Sequence, residues 1–352
     1  MFDETQELIM LLVSQNGRRS CDAAVWFRIV DLDNRIRPYR LELRIMANKI
    51  IIIADPGIDT AFAVALALHD PNIDVVGLIG SAGNVSADQA TQNIHILINQ
   101  IDAPKWPRVG AALPVTYDVD GTRLHGPDGL GGVSFPPISL HQPMAGDKLI
   151  VELVRANPKE ITVVVLGPAT MLARALDRDP ELPNMIDRII LLGGSWHEPG
   201  NASAVAEFHF FLDPQAVRQV LRCGANITIL PLDVTRKLVF SPIDLLALPS
   251  PDSPACRFLR QIVPYGIRAT SNLYGIEGFH LKDVLGIACL ALKDAIQTEA
   301  HCVDIETRGE LTKGMSVVDT RPLPSGAKNV HLAVSVDKIG VRDYIHRILA
   351  ST

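Results

Sequence analysis

The chain is poor in cysteine and in clustered positive charge, and it has no long apolar run. Its five cysteines, Cys21, Cys223, Cys256, Cys289 and Cys302, are odd in number, far apart and without C-x-x-C spacing. That pattern indicates neither a disulfide framework nor a zinc site, and a reducing cytoplasm is the expected location. Charge, Pro or Gly interrupts every apolar stretch before the roughly 18 to 20 residues of a membrane span, so a soluble protein is expected. The 33 basic and 39 acidic residues are well mixed and leave a net charge of -6. No basic stripe follows from them, and nucleic acid is not an expected partner. Internal repeats and low-complexity tracts are also lacking. What the chain has in quantity is apolar surface: 47% of its 352 residues are hydrophobic, ample for one large core or two ordinary ones.

Residues 1–45 contain "LIMLLV" and seven arginines but no lysine. They lack a basic start, a long apolar run and a small-residue cleavage site, so a secretory signal is not supported. They are read as an N-terminal extension, with Met46 directly before the first strong strand and the main domain over 46–352. From Lys49 onward, apolar runs alternate with amphipathic segments: "KIIIIA", "TAFAVALALHD", "IDVVGLIGS", "SADQATQNIHILINQI". Repeated βα units of this kind predict an α/β fold, a single large domain with a mostly parallel central sheet flanked by helices. Further buried strands are expected at 161–167, 187–195 and 227–233, and helices at 145–156, 169–178, 213–222 and 282–293. The Pro- and Ser-rich segment 240–256 reads as a loop, a lid or a plain connection. The alternation in "IETRGELTKGMSVVDTR" and "NVHLAVSVD" predicts a small antiparallel addition near the C-terminus.

Ligands of parallel sheets bind at the carboxyl ends of the strands, and polar residues gather there. Asp55 and Asp59 flank a Pro-Gly turn after "KIIIIA", so both carboxylates can converge on a hard cation or a sugar hydroxyl. The plainer reading makes one a helix cap and the other a turn residue. Asn84 ends the second strand as a ligand group or a turn former. His125 lies in a glycine-rich loop, where a histidine is more often ordinary than catalytic. Asn201, Glu207 and His209 crowd the stretch after "LLGGS", denser in polar groups than packing alone requires. His280, Lys282 and Asp283 open an apolar helix, where Asp283 suits the helix dipole or aims at a ligand from the far side of the site.

Taken in order, "ADPGID", "GN" at 83–84, "HGPDGLGG" at 125–132, "LGPATMLARAL" at 166–176, "GGSWHEPGNASAVAEFHFFLDPQA" at 193–216, "LDVT" at 232–235, "KDVLGIA" at 282–288 and "GELTKGMSVVD" at 309–319 resemble the inosine-uridine-preferring nucleoside hydrolases. The resemblance runs from about Lys49 to the end. It implies hydrolysis of the N-glycosidic bond of a small-molecule nucleoside, and a homodimer or homotetramer. It also implies a calcium ion at the sheet edge, held by Asp55, Asp283, the backbone carbonyl of Leu166 and the residue at position 60. Asp55 would also be the base that takes a proton from water. Asp59, Asn84, Asn201, Glu207 and the residue at 209 would hold the ribose.

Four positions depart from the family pattern D-x-D-P-G-x-D-D and its later motifs. Ile53 and Thr60 replace its first and last aspartates, His209 replaces an asparagine, and Lys282 replaces a histidine that is a candidate leaving-group acid. Thr60 offers one neutral oxygen in place of a chelating carboxylate and weakens the expected calcium site. Lys282 normally stays protonated at too high a pKa for efficient acid catalysis, which leaves His280 and His125 as substitutes. Three readings follow: a hydrolase, a catalytically impaired member that binds nucleoside or ribose without turnover, and metal-independent hydrolysis with Lys282 supplying positive charge. Base preference would rest on aromatic residues, with Trp196, Phe210 and Tyr274 as candidates and core packing as the plainer role for Phe210.

Overall fold

The computed structural model describes residues 24–30, 36–42, 47–136, 143–324 and 326–352. Two units divide the chain, Met1–Ala47 and Asn48–Thr352. In the first, β1 (Ala24–Val30) and β2 (Ile36–Glu42) pair antiparallel with Ala24 opposite Glu42. The rest of the extension expected over 1–45 lies outside the described residues.

The second unit opens with β3 (Asn48–Ala54), α1 (Ile58–His69), β4 (Ile73–Gly80), α2 (Ala87–Ile101), β5 (Arg108–Ala111) and a single turn, α3 (Thr122–His125). It continues through β6 (Met144–Ala145), α4 (Gly146–Ala156), β7 (Ile161–Val165), α5 (Thr170–Arg178), α6 (Leu182–Met185), β8 (Arg188–Leu192), α7 (Phe208–Leu212), α8 (Pro214–Leu221), β9 (Ile227–Leu230) and α9 (Leu232–Thr235). β10 (Val239–Phe240), α10 (Pro242–Leu246), α11 (Pro254–Tyr274), β11 (Phe279–His280), α12 (Val284–Ala291), β12 (Ile296–Ile305), β13 (Ser316–Asp319), β14 (Val330–Val336) and α13 (Lys338–Leu349) complete it.

The isoleucine run of β3 forms a strand because both of its faces are covered. Ile50, Ile52 and Ala54 pack into a core shared with Leu97, Phe258, Leu285 and Tyr344 from α2, α11, α12 and α13. Ile51 and Ile53 point the other way, into a core with Leu149, Leu172 and Val217 from α4, α5 and α8. A strand buried on both sides reads as continuous β-branched sequence. The ten strands run in the order β13-β12-β14-β9-β8-β7-β3-β4-β5-β6. From β14 to β6 every pair is parallel, while β12 pairs antiparallel with β13 and β14. The expected antiparallel addition is therefore an edge of the main sheet.

The chain leaves β3 toward β4 on one side and later returns to β7 on the other, so the strand order reverses at β3. A crevice outside the carboxyl ends is the consequence of that reversal, and Asp55 stands directly on it. Segment 240–256 is less of a loop than expected: Ser241 caps α10, and Ser253 with Pro254 starts α11. Among the described residues no helix is long and apolar enough to cross a membrane.

One polar contact ties the last helix to the first. Buried Tyr344 donates its hydroxyl to Asp70 Oδ2 at 2.9 Å, and Asp70 Oδ1 accepts from the Asn72 backbone N–H at 2.9 Å. Burial, followed by the Asp70 charge, holds the Tyr344 hydroxyl far above its usual range. Tyr344→Phe is expected to lower unfolding free energy by about 1.5–3 kcal/mol, the value of a hydrogen bond to a charged acceptor, read as a lower denaturant midpoint at unchanged slope.

Candidate active site

A cavity of about 600 Å³ opens at the crevice. Asp59, Asn84, His125, Asn201, His209, Lys282 and Asp283 line it, and they come from segments spread across more than two hundred residues of sequence. Asp55 and Glu207 sit just behind this wall, both buried.

Asp55 is held from two sides. Its Oδ2 accepts the Asn84 backbone N–H at 2.9 Å, and its own carbonyl accepts Asn84 Nδ2 at 2.8 Å. Its Oδ1 is buried without a protein hydrogen-bond partner. The chain passes this carboxylate so closely that only glycine fits at position 83, where a Cβ would lie 2.1 Å from Asp55 Oδ2. Neither Asp55 nor Asp59 caps α1: Gly57 is the N-cap, and its N–H is donated to Thr60 Oγ1 at 3.1 Å. The capping half of the plainer reading thus falls away.

The ring of His209 stands between two acids. Its Nε2 lies 3.5 Å from Asp55 Oδ2 and its Nδ1 3.6 Å from Glu207 Oε1. Burial alone would lower its pKa, but the Asp55 and Glu207 charges outweigh that and push it up to about 9. The sign of the linkage follows. A group with a raised folded pKa adds stability that is fully present below the unfolded value of about 6.5 and is lost as pH rises through the folded one. Wild-type protein is expected to lose on the order of 3 kcal/mol between pH 6.5 and 9.5 from this residue, and His209→Asn to flatten that slope in denaturant titrations at the two pH values.

His125 is set up differently. Its Nδ1 accepts the Ile58 backbone N–H at 3.0 Å, which fixes the proton on Nε2 of the neutral ring. Burial, opposed by Asp59, lowers its pKa, so it is a neutral donor at physiological pH. Asp59 Oδ1 is 3.8 Å from Nδ1. A Cβ at position 57 would lie 2.6 Å from the same nitrogen, so this glycine makes room for the ring.

Asp283 begins α12 but makes no capping bond. Its Oδ2 accepts the Thr60 hydroxyl at 2.5 Å. Burial first and the Asp59 charge second hold its carboxyl well above the usual range, against the Thr60 hydrogen bond. Glu207 Oε2 caps α7 through the Phe210 N–H at 3.2 Å and also accepts from Gly194 N–H. Asn201 Oδ1 accepts the Phe208 N–H at 2.8 Å. Leu166 follows β7 with its N–H on the Ile53 carbonyl at 2.7 Å and its side chain in the core.

Some expected residues do not reach the cavity. His280 pairs with Val239 in a short ladder, its Nδ1 is buried without a partner, and burial followed by the Lys282 charge lowers its pKa to about 4. Trp196 stacks on His197 at 4.1 Å, and Phe210 is core. Of the three aromatic candidates Tyr274 alone lines the cavity, joined by Phe208. Sequence reasoning also missed Asp118, Asp120 and Arg123, which form the cavity's outer wall. The signal for that loop was the Asp-Gly pair at 120–121, a turn former: Asp120 Oδ1 accepts the Thr122 N–H at 3.0 Å.

Residues 50–343 match the family described as inosine-uridine preferring nucleoside hydrolase. The pyrimidine-specific ribonucleoside hydrolase RihA of Klebsiella pneumoniae is 31% identical over 309 residues, covering 87% of this chain and 99% of that protein. The inosine-uridine preferring nucleoside hydrolase of Leishmania major is 32% identical over 299 residues, covering 83% and 94%. Among solved structures, a plant nucleoside hydrolase superimposes with a TM-score of 0.79 at 28% identity over 87% of this chain and 99% of its own. A purine-preferring ribonucleoside hydrolase from Gardnerella vaginalis gives 0.79 at 25% identity over 86% and 98%. With matches spanning most of this chain and nearly all of each relative, the chain belongs to the inosine-uridine preferring nucleoside hydrolase family, a family of N-glycosyl hydrolases.

Proposed function

We propose that this chain hydrolyses ribonucleosides to free base and ribose, with Asp55 as the base that takes a proton from the attacking water. The observation that carries this reading is the buried Asp55 carboxylate at the strand reversal, with one oxygen fixed by Asn84 and the other unpartnered. A buried acceptor without a partner costs stability, and its use in proton transfer gives a reason for keeping it.

In this scheme the ribose lies against Asp59, Asn84, Asn201 and His209, and the base points toward the wall of Asp118, Arg123 and Tyr274. The C1′–N bond breaks and its electron pair leaves with the base. The oxygen of water bonds to C1′ while its proton passes to Asp55, and the departing base takes up a proton. Fixed carboxylates near the sugar stabilise its oxocarbenium character. Lys282 and the neutral His125 ring line the cavity as hydrogen-bond donors to the leaving base, and the proton the base takes up comes from solvent water.

The donor set of this chain is one carboxylate short of the calcium site the resemblance implies: Asp55, whose Oδ1 is unpartnered, Asp283 and the Leu166 carbonyl are the groups that would hold the ion, and position 60 brings no carboxylate. Calcium takes about six to eight oxygen ligands, whereas the Thr60 oxygen already accepts from Gly57 and gives its proton to Asp283. No step above is routed through a metal.

The test is release of reducing sugar by purified protein from a panel of purine and pyrimidine nucleosides and nicotinamide riboside. Both base classes belong in it, because the relatives are named for opposite preferences. Turnover of one or more supports the proposal, and no turnover on any contradicts it. Binding without turnover is the second reading, favoured by the Thr60–Asp283 bond, and calorimetry with nucleoside or ribose identifies it as saturable heat with no product. A homodimer or homotetramer is part of the same family-based proposal and is read by light scattering.

A further inference from the structure

We propose that Tyr117 is a positioning residue for the nucleobase: through Thr170 and Asp213 its hydroxyl fixes the loop that walls the base end of the cavity against the helices behind it. The inference rests on the hydrolase reading for the identity of the ligand and on hydrogen-bond geometry for its evidence.

Asp118, Val119, Asp120 and Arg123 line the outer part of the cavity. All four are exposed, so burial of their side chains does little to hold them in place. Among the described residues no backbone hydrogen bond ties 116–120 to the rest of the fold, and Asp120 bonds within the loop, to Thr122. The far end of the wall is pinned where Gly121 donates its N–H to the Asn84 carbonyl at 3.1 Å. Tyr117 pins the near end. Its hydroxyl lies 2.7 Å from Thr170 Oγ1, and Thr170 Oγ1 donates to Asp213 Oδ2 at 2.6 Å. A threonine hydroxyl has one proton, so with that proton on Asp213 the donor of the first bond is Tyr117.

Both receiving residues are themselves fixed. Thr170 is the first residue of α5 and is buried. Asp213 follows α7 and caps α8, accepting the Ala216 N–H on Oδ1 at 3.0 Å. α7 carries Phe208 and His209, which line the same cavity, so the relay from Tyr117 to Asp213 joins two linings whose spacing decides how a base is gripped. In the proposed scheme the loop meets the base and not the breaking bond. Its placement therefore acts on ground state and transition state alike, and the consequence falls on KM rather than kcat.

The experiment uses full-length Tyr117→Phe, which keeps the ring and removes the hydroxyl. KM for the nucleosides turned over is expected to rise about three- to tenfold, the equivalent of one neutral hydrogen bond, with kcat within about twofold of wild type. The inhibition constant of free ribose, which the scheme places away from this wall, is expected to stay unchanged. Hydrogen exchange over 118–126 in the unliganded protein is expected to quicken. Thr170→Val cuts the same relay and is expected to match Tyr117→Phe, while Thr170→Ser keeps the hydroxyl and is expected to match wild type. Wild-type KM in Tyr117→Phe, a fall in kcat at unchanged KM, or a ribose constant that rises with KM overturns the proposal. No hydrolysis of any nucleoside by wild type defeats the hydrolase reading, whereas unchanged exchange over 118–126 in Tyr117→Phe overturns the positioning role with or without turnover.

Discussion

Asp55→Asn is expected to lower kcat on every nucleoside turned over by about a hundred- to ten-thousand-fold, the range for loss of a positioned general base. The change keeps the shape of the side chain and one oxygen for the Asn84 N–H, which Asp55 Oδ2 now accepts at 2.9 Å. Folding is therefore preserved to first order. What is lost is the carboxyl oxygen assigned to receive the proton of water, in a group that stands 3.5 Å from His209. Because the lost interaction belongs to the transition state, the effect falls on kcat and kcat/KM together. Steady-state rates with circular dichroism as the folding control check it, and a loss under tenfold would remove Asp55 from the role assigned to it.

Gly83→Ala has the second largest expected effect, through a residue assigned no chemical part. A Cβ at this position lies 2.1 Å from Asp55 Oδ2 and 2.8 Å from Asp55 Cβ, so the carboxylate must move. Displacing a reacting group by about an ångström costs on the order of a hundredfold in rate, and forcing a methyl into a packed site costs about 1–3 kcal/mol. The variant is expected to show both, with KM changing less than kcat. Wild-type kinetics in Gly83→Ala would mean that Asp55 is not held where the structure holds it.

Much of the frame was legible in the sequence because it follows from burial. The run Ile50–Ile53 can be apolar throughout only where both faces are covered, and the βα alternation after it allows few topologies. The carboxyl-end rule then drew attention to Asp55, Asp59 and Asn84, which do meet at one edge. Segment 240–256 was harder, since Ser and Pro at a helix start look like Ser and Pro in a loop, and Ser253-Pro254 opens the 21-residue α11.

The site was legible as a set of residues but less so as an arrangement. Thr60 and Lys282 stood out as substitutions, yet the Thr60–Asp283 hydrogen bond joins positions that only the folded sheet edge brings together. Which of the neighbouring phenylalanines faces the cavity was equally hidden. A five-residue helix such as α7 has too few turns to show a face, and tertiary packing sends Phe208 to the cavity and Phe210 to the core. His280 is close in sequence to Lys282, but its short ladder with Val239 keeps it out of the cavity wall.

The central claim is that Asp55 drives hydrolysis of the bond between base and ribose. Its most direct test is chromatographic measurement of free base together with reducing sugar, from uridine and inosine, for wild-type and Asp55→Asn protein side by side. The account predicts base and ribose in equal amounts from at least one of the two with wild type, and a yield from Asp55→Asn lower by about two orders of magnitude or more. Intact nucleosides after prolonged incubation with folded wild-type protein, or equal yields from the two proteins, would contradict it.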